Sequence, residues 1–172
     1  VDGMIVAARY ARERGVPFLA IGFGMQLAVV EAARSLLGIA DAHTAEADPL
    51  TAHPVVRVPE DRICQNDSRA ATRMGSSGVR LLDGELRRIY GAEVVAERHS
   101  NRYEVDPAYV PDLERKGLRL AGVSMEAGTP KRLKWGATPF TSRWHTIRNI
   151  SVGRAGRIRC LCGWCNVCLL YT

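Results

Sequence analysis

The sequence predicts an α/β fold, and three features carry that prediction. A short apolar run, Pro17-Phe18-Leu19-Ala20-Ile21, has the length and composition of a strand buried in a parallel sheet. Helix-forming stretches lie on both sides of it, and each ends at a glycine. Between strand and second helix stands a tight Gly22-Phe23-Gly24 turn, so the pattern changes from strand to helix within a few residues.

Taken in order, Met4 to Arg14 is rich in helix formers, and Gly15 supplies its stop. After the strand and turn, Met25 to Leu37 has helical composition and ends at Gly38. Ile39 to Val55 is mostly polar, with His43, Glu46, Asp48, Pro49 and His53, and predicts a loop returning to an edge strand at Val55 to Val58. Glu60 to Ser68 is expected to be a surface excursion carrying Cys64. Val79 to Tyr90 contains a turn at Asp83-Gly84 and a short helix stopped by Gly91. Val94 to Ala96, Tyr103 to Val105 and Leu118 to Val123 are predicted strands, and Pro111 to Lys116 a short helix ended by Gly117.

At 172 residues the chain suits one ordinary domain, and its apolar (47%) and charged (24%) fractions are those of a globular protein. The most apolar window, Val16 to Val30, is broken by Pro17, Gly22, Gly24 and Gln26, which excludes a membrane span there. No secretory leader is recognisable, so a cytoplasmic location is expected. The chain opens on Val1-Asp2-Gly3, which suggests an internal piece of something larger. Its net charge of +6 is unevenly spread. Residues 1–128 hold 16 Lys and Arg against 18 Asp and Glu, whereas residues 129–172 hold eight basic residues and no acid. Cys64 stands alone, while Cys160, Cys162, Cys165 and Cys168 crowd together near the end. The expected organisation is therefore a body over 1–128 and a basic, cysteine-rich tail over 129–172 that lacks order.

A strand that delivers one residue onto a sharp turn, with a helix leaving at once, is the geometry of a nucleophile elbow. The departing helix aims its N-terminal N–H groups at the site and stabilises negative charge there. Gly22 occupies the elbow position. The run Ile21-Gly22-Phe23-Gly24-Met25-Gln26-Leu27-Ala28 resembles the elbow of class I glutamine amidotransferases, and its latter half is similar to that of CTP synthases. Ala42-His43-Thr44-Ala45-Glu46 and Glu97-Arg98-His99-Ser100-Asn101-Arg102-Tyr103-Glu104-Val105 resemble two further signatures of the same family, and Gly117 to Ser124 matches the strand that follows. The resemblance runs from about residue 1 to about residue 126. It implies a flavodoxin-like fold with a parallel or mixed sheet flanked by helices, incomplete at both ends. It also implies glutamine as ligand, with Phe23, Gly24, Met25 and Gln26 lining the pocket, Glu46 on the ammonium and Arg102 on the carboxylate. The residue types suit that task, since a free amino acid presents one ammonium and one carboxylate.

In the family the elbow residue is a cysteine that forms a thioester with glutamine, and the ammonia released aminates UTP to CTP at the expense of ATP. Here Gly22 offers no thiol. The family's base and its orienting glutamate lie in a His-Pro-Glu motif that this sequence does not contain. His145 stands near the expected distance from Arg102, but Arg143-Trp144-His145-Thr146 does not resemble the family's surroundings. The resemblance thus implies a chain without glutaminase activity and without its own cofactor, since ATP, UTP and Mg belong to a ligase domain that this sequence lacks. An alternative is a non-catalytic scaffold or regulator that associates with an intact CTP synthase.

From Thr129 onward the resemblance ends. The loss of all acids and the cysteine-rich end favour a shift of reading frame near codon 128. Two other readings are open: a zinc or iron–sulfur site at Cys160 to Cys168, and a basic arm for nucleic acid. All four thiols crowd one loop, unlike the paired knuckles of structural zinc, so no metal is expected. The basic residues are scattered rather than striped, so no nucleic acid is expected either.

Overall fold

The computed structural model of the protein describes residues 1–16, 18–62, 73–135 and 145–148. Its order is α1 (Asp2–Arg14), β1 (Phe18–Ile21), α2 (Phe23–Leu36), β2 (Ala42–Thr44), β3 (His53–Arg57), β4 (Arg73–Leu81), α3 (Gly84–Tyr90), β5 (Val94–Asn101), β6 (Glu104–Val105), α4 (Val110–Arg115), β7 (Leu118–Ser124), β8 (Pro130–Trp135) and β9 (His145–Arg148). The α/β class read from the sequence holds. Six strands form one mixed sheet in the order β1-β9-β8-β7-β4-β5, and β2-β3-β6 form a second, smaller sheet. Parallel pairing is confined to β1 with β9 and β2 with β3; the remaining pairs are antiparallel.

The core gathers on α2, whose residues from Met25 to Ala33 are all buried. That helix is apolar around most of its girth because it packs on α1, on β1 and on the small sheet at once. Side chains such as Leu27, Val29 and Val30 are fully covered, each contributing about 1.5–3 kcal/mol. Glu31 sits in the same helix at 1% exposure, and Arg12 of α1 meets it with two hydrogen bonds, of 2.7 and 3.0 Å. The pair ties the two helices together, and the Arg12 guanidinium also lies 5.9 Å from the Trp135 ring of β8. Gly15 closes α1 in the left-handed conformation, as the sequence predicted.

Several elements differ from the sequence reading. The segment expected as a loop contains β2, whose alternation (Ala42 and Thr44 buried, His43 less so) is too short to register as a pattern. The strand expected at an edge over Val55 to Val58 runs from His53 to Arg57 and lies in the middle of the small sheet, between β2 and β6. The long β4 is absent from the sequence reading, because Gly75-Ser76-Ser77-Gly78 reads as turn chemistry; pairing with β5 over eight positions holds it extended. β5 runs on from Ala96 to Asn101 for the same reason. Of the surface excursion, Glu60–Arg62 forms a 3₁₀ turn, and Cys64 lies outside the described residues.

The sheet continues past the change in composition at Gly128. β8 pairs with β7 on one side and β9 on the other. Lys131, Arg132 and Leu133 are each 1% exposed. Both cations meet acids from the preceding part of the chain, Lys131 with Glu104 and Arg132 with Glu97. The stem of Arg132 lies across Gly122, where an added Cβ would stand 3.1 Å from Arg132 Cδ and 3.3 Å from its Cβ and Cγ. Residues 136–144 and 149–172, with the four clustered cysteines, lie outside the described residues. Among the described residues no helix is long and apolar enough to cross a membrane.

Two outcomes follow from this packing. Gly122→Ala should lower stability by about 1–3 kcal/mol through overpacking against Arg132; an unchanged urea midpoint would contradict the contact. The second outcome concerns acid. Burial pushes the Glu104 carboxyl up, but Lys131, with Thr129 and Arg62, pulls harder and holds it down at about 2. Its contribution to stability is therefore complete above the unfolded value, near 4.5, and is lost as pH falls from there toward about 2. Denaturation across that window should show a shallower acid loss in Glu104→Gln than in the parent chain, and equal slopes would refute the assignment.

Candidate functional site

The site begins with a backbone constraint. β1 hands the chain to α2 through Gly22 alone, which adopts φ 58° and ψ −121°. The helix starts at once: the N–H groups of Met25 and Gln26 donate to the Gly22 carbonyl at 3.1 and 3.3 Å. Residues with a side chain avoid that backbone region, whereas glycine enters it freely. A Cβ built on Gly22 meets nothing within 4 Å. The turn thus takes a backbone shape that favours glycine and leaves open space where a side chain would project. Gly24 packs the first turn of α2 closely onto its neighbours, since a Cβ there would lie 3.5 Å from the Met4 methyl and 3.8 Å from Ala20 Cβ.

Gln26, one turn into α2 and 6% exposed, reaches the small sheet. Its Nε2 donates to Glu46 Oε2 at 2.7 Å, and its Oε1 accepts from the Thr44 hydroxyl at 2.6 Å. The Glu46 N–H donates to the same hydroxyl at 3.3 Å. Thus Gln26, expected to line the pocket, also fixes the carboxylate expected to hold the ammonium. Thr44 is not among the site residues read from the motifs, although a hydroxyl two residues before an acid is a recognisable local partner. Glu46 itself is exposed.

Arg102 reaches this end of the fold by register. The Ala45 N–H donates to the Val56 carbonyl, so Glu46 leaves β2 beside the C-terminal end of β3. On the other side of β3, Glu104 stands opposite Arg57, so Arg102 enters β6 at that same end. Arg102 is exposed on the bend between β5 and β6, and Asn101 Nδ2 closes the bend onto the Tyr103 carbonyl at 3.4 Å and Glu104 Oε1 at 3.2 Å. An acid and a guanidinium therefore flank β3, with the elbow helix tethered to the acid. Phe23 is half-buried and Met25 buried in the core, so Met25 contributes packing rather than an open surface.

His145 is placed away from the elbow. It stands opposite Phe18, at the start of β1, while Arg148 stands opposite Ile21. Three residues of extended strand separate the two ends, about 10 Å. Among the described residues no group of three or more His, Cys, Asp or Glu could hold a metal ion. Chemically the site offers a helix N-terminus, one acid and one guanidinium, a set suited to holding a zwitterion.

The family model "glutamine amidotransferase class-I" matches residues 1–140, a span that passes Gly128 and includes β8. A CTP synthase from Sulfurisphaera tokodaii is 50% identical over 125 residues, covering 72% of this chain and 24% of that protein. One from Methanopyrus kandleri is 52% identical over 127 residues, with coverage of 72% and 24%. The chain thus spans about a quarter of the length of the curated relatives it matches. A solved structure described as the glutaminase domain of Trypanosoma brucei CTPS with bound acivicin superposes with a TM-score of 0.78 at 29% identity, covering 87% of this chain and 57% of that one. The chain belongs to the class I glutamine amidotransferases, with its similarity running to CTP synthases and to a CTPS glutaminase domain.

Proposed function

We propose that this chain is a glutamine-binding module of the CTP synthase type whose glutaminase chemistry is disabled at its nucleophile. The observation that carries the reading is Gly22, a side-chain-free residue at a strained elbow with open space where a thiol would project. Thioester formation needs a thiolate at that point, and losing the nucleophile alone costs on the order of 10⁶ in kcat where a comparable triad has been dissected.

Recognition is a separate matter from turnover. Glu46 suits the ammonium of glutamine, and Arg102 suits its carboxylate, while Gln26 keeps the acid in place. The ATP-driven amination of UTP that the resemblance implies for the family is not assigned to this chain, which matches about a quarter of the length of those proteins. The role proposed for this chain is to hold the amino acid without cleaving it.

Calorimetric titration with L-glutamine, alongside an assay for released glutamate, tests both halves. The expected result is saturable binding with a Kd of about 1 mM and glutamate release at the uncatalysed background. Absence of binding at tenfold higher concentration would refute the pocket. Turnover at about 1 s⁻¹ or faster, within the ordinary enzyme range, would refute the loss of catalysis.

A further inference from the structure

We propose that Lys131 is a positioning residue for Arg102, holding the bend that presents its guanidinium to the carboxylate of a bound amino acid; the inference rests on the pocket reading given above. An exposed arginine on a short bend discriminates for a carboxylate only if the bend has one shape. The bend that carries Arg102 has its far side anchored on Glu104, two residues on. Glu104 is 1% exposed, and its Oε1 collects the Arg62 guanidinium at 2.5 Å, the Asn101 amide at 3.2 Å and the Lys131 ammonium. Lys131 is itself 1% exposed, so its charge is offset by this carboxylate rather than by water. The Asn101 amide links the same carboxylate to the Tyr103 carbonyl across the bend. Lys131 therefore acts on an acid that is tied through Asn101 to the backbone on both sides of Arg102.

The neighbouring cation supplies a built-in comparison. β8 changes register against β7 at this point, and its two cations meet different partners. Arg132 meets Glu97 in β5 and the Tyr90 hydroxyl at 3.0 Å, its guanidinium 4.8 Å from that ring, whereas Lys131 meets Glu104 in β6. Arg132 is as buried as Lys131. Glu97 lies five residues before Arg102, about 16 Å of extended strand. Loss of Arg132 removes a buried ion pair of similar kind from the same strand without touching the bend.

The test compares L-glutamine with L-glutaminamide, in which the α-carboxylate is replaced by an amide, on the full chain and on Lys131→Met and Arg132→Met. In the parent chain glutamine should bind roughly tenfold tighter, the worth of one charge-assisted contact to Arg102. In Lys131→Met that preference should fall to about one, with glutaminamide affinity unchanged; in Arg132→Met it should persist. A preference retained in Lys131→Met, or lost equally in both variants, overturns the assignment, because a merely structural role would act on the two ligands alike. Should Lys131→Met fail to fold, the double variant Lys131→Met with Glu104→Gln removes both buried charges and must also lose the preference. A parent chain that binds neither ligand, or both equally, would overturn the pocket reading itself, and the parent arm alone reveals that failure.

Discussion

A buried strand that must become a helix within a single residue leaves its backbone few choices. At Gly22 the chain takes a positive φ so that β1 can end on the sheet and α2 can begin directly above it. Much of the molecule is arranged around that step. α2 becomes the helix on which the core gathers, Gly24 brings its first turn against Ala20, and Gln26 projects toward the small sheet to meet Thr44 and Glu46. Glycine bears little strain at that step, so the turn is reached without the cost that a side chain would meet there.

The second organising feature is electrostatic. β8 carries two adjacent buried cations, and each finds its acid in the part of the chain that most resembles the family. Buried pairs of this kind contribute modestly to net stability but make the loss of either partner costly. They fix which strands lie against which, and they join the segment after Gly128 to the sheet before it. One pair secures β5 and Tyr90, and the other secures the acid beside Arg102.

Much of this is legible in the sequence where local chemistry speaks clearly. The helix stop at Gly15, the elbow at Gly22 and the helix stopped by Gly91 each rest on a residue type with one strong preference, and each stands where it was read, whereas the turn read at Asp83-Gly84 is instead the N-cap and first residue of α3. β4 escapes such a reading because Gly75 to Gly78 favour turns, and only long-range pairing with β5 overrides them. β2 escapes it because three residues are too few for alternation to show. Glu46 and Arg102 are singled out as candidates by the motifs, yet the tether from Gln26 to Glu46 requires three dimensions. β8 is hidden by composition: Lys131-Arg132 reads as a solvated stretch, and nothing local announces that Glu97 and Glu104 lie opposite.

Restoring a thiol at Gly22 tests whether the elbow and the proposed amino-acid pocket persist without a nucleophile. In Gly22→Cys, alkylation of the introduced thiol by iodoacetamide would be followed against pH by mass spectrometry of its peptide, with and without L-glutamine. The account predicts a thiol pKa below the ordinary ~8.5, because the side chain stands at a helix N-terminus, and alkylation that saturating glutamine slows. A thiol of ordinary acidity at that position, whose reaction glutamine leaves unchanged, would contradict it.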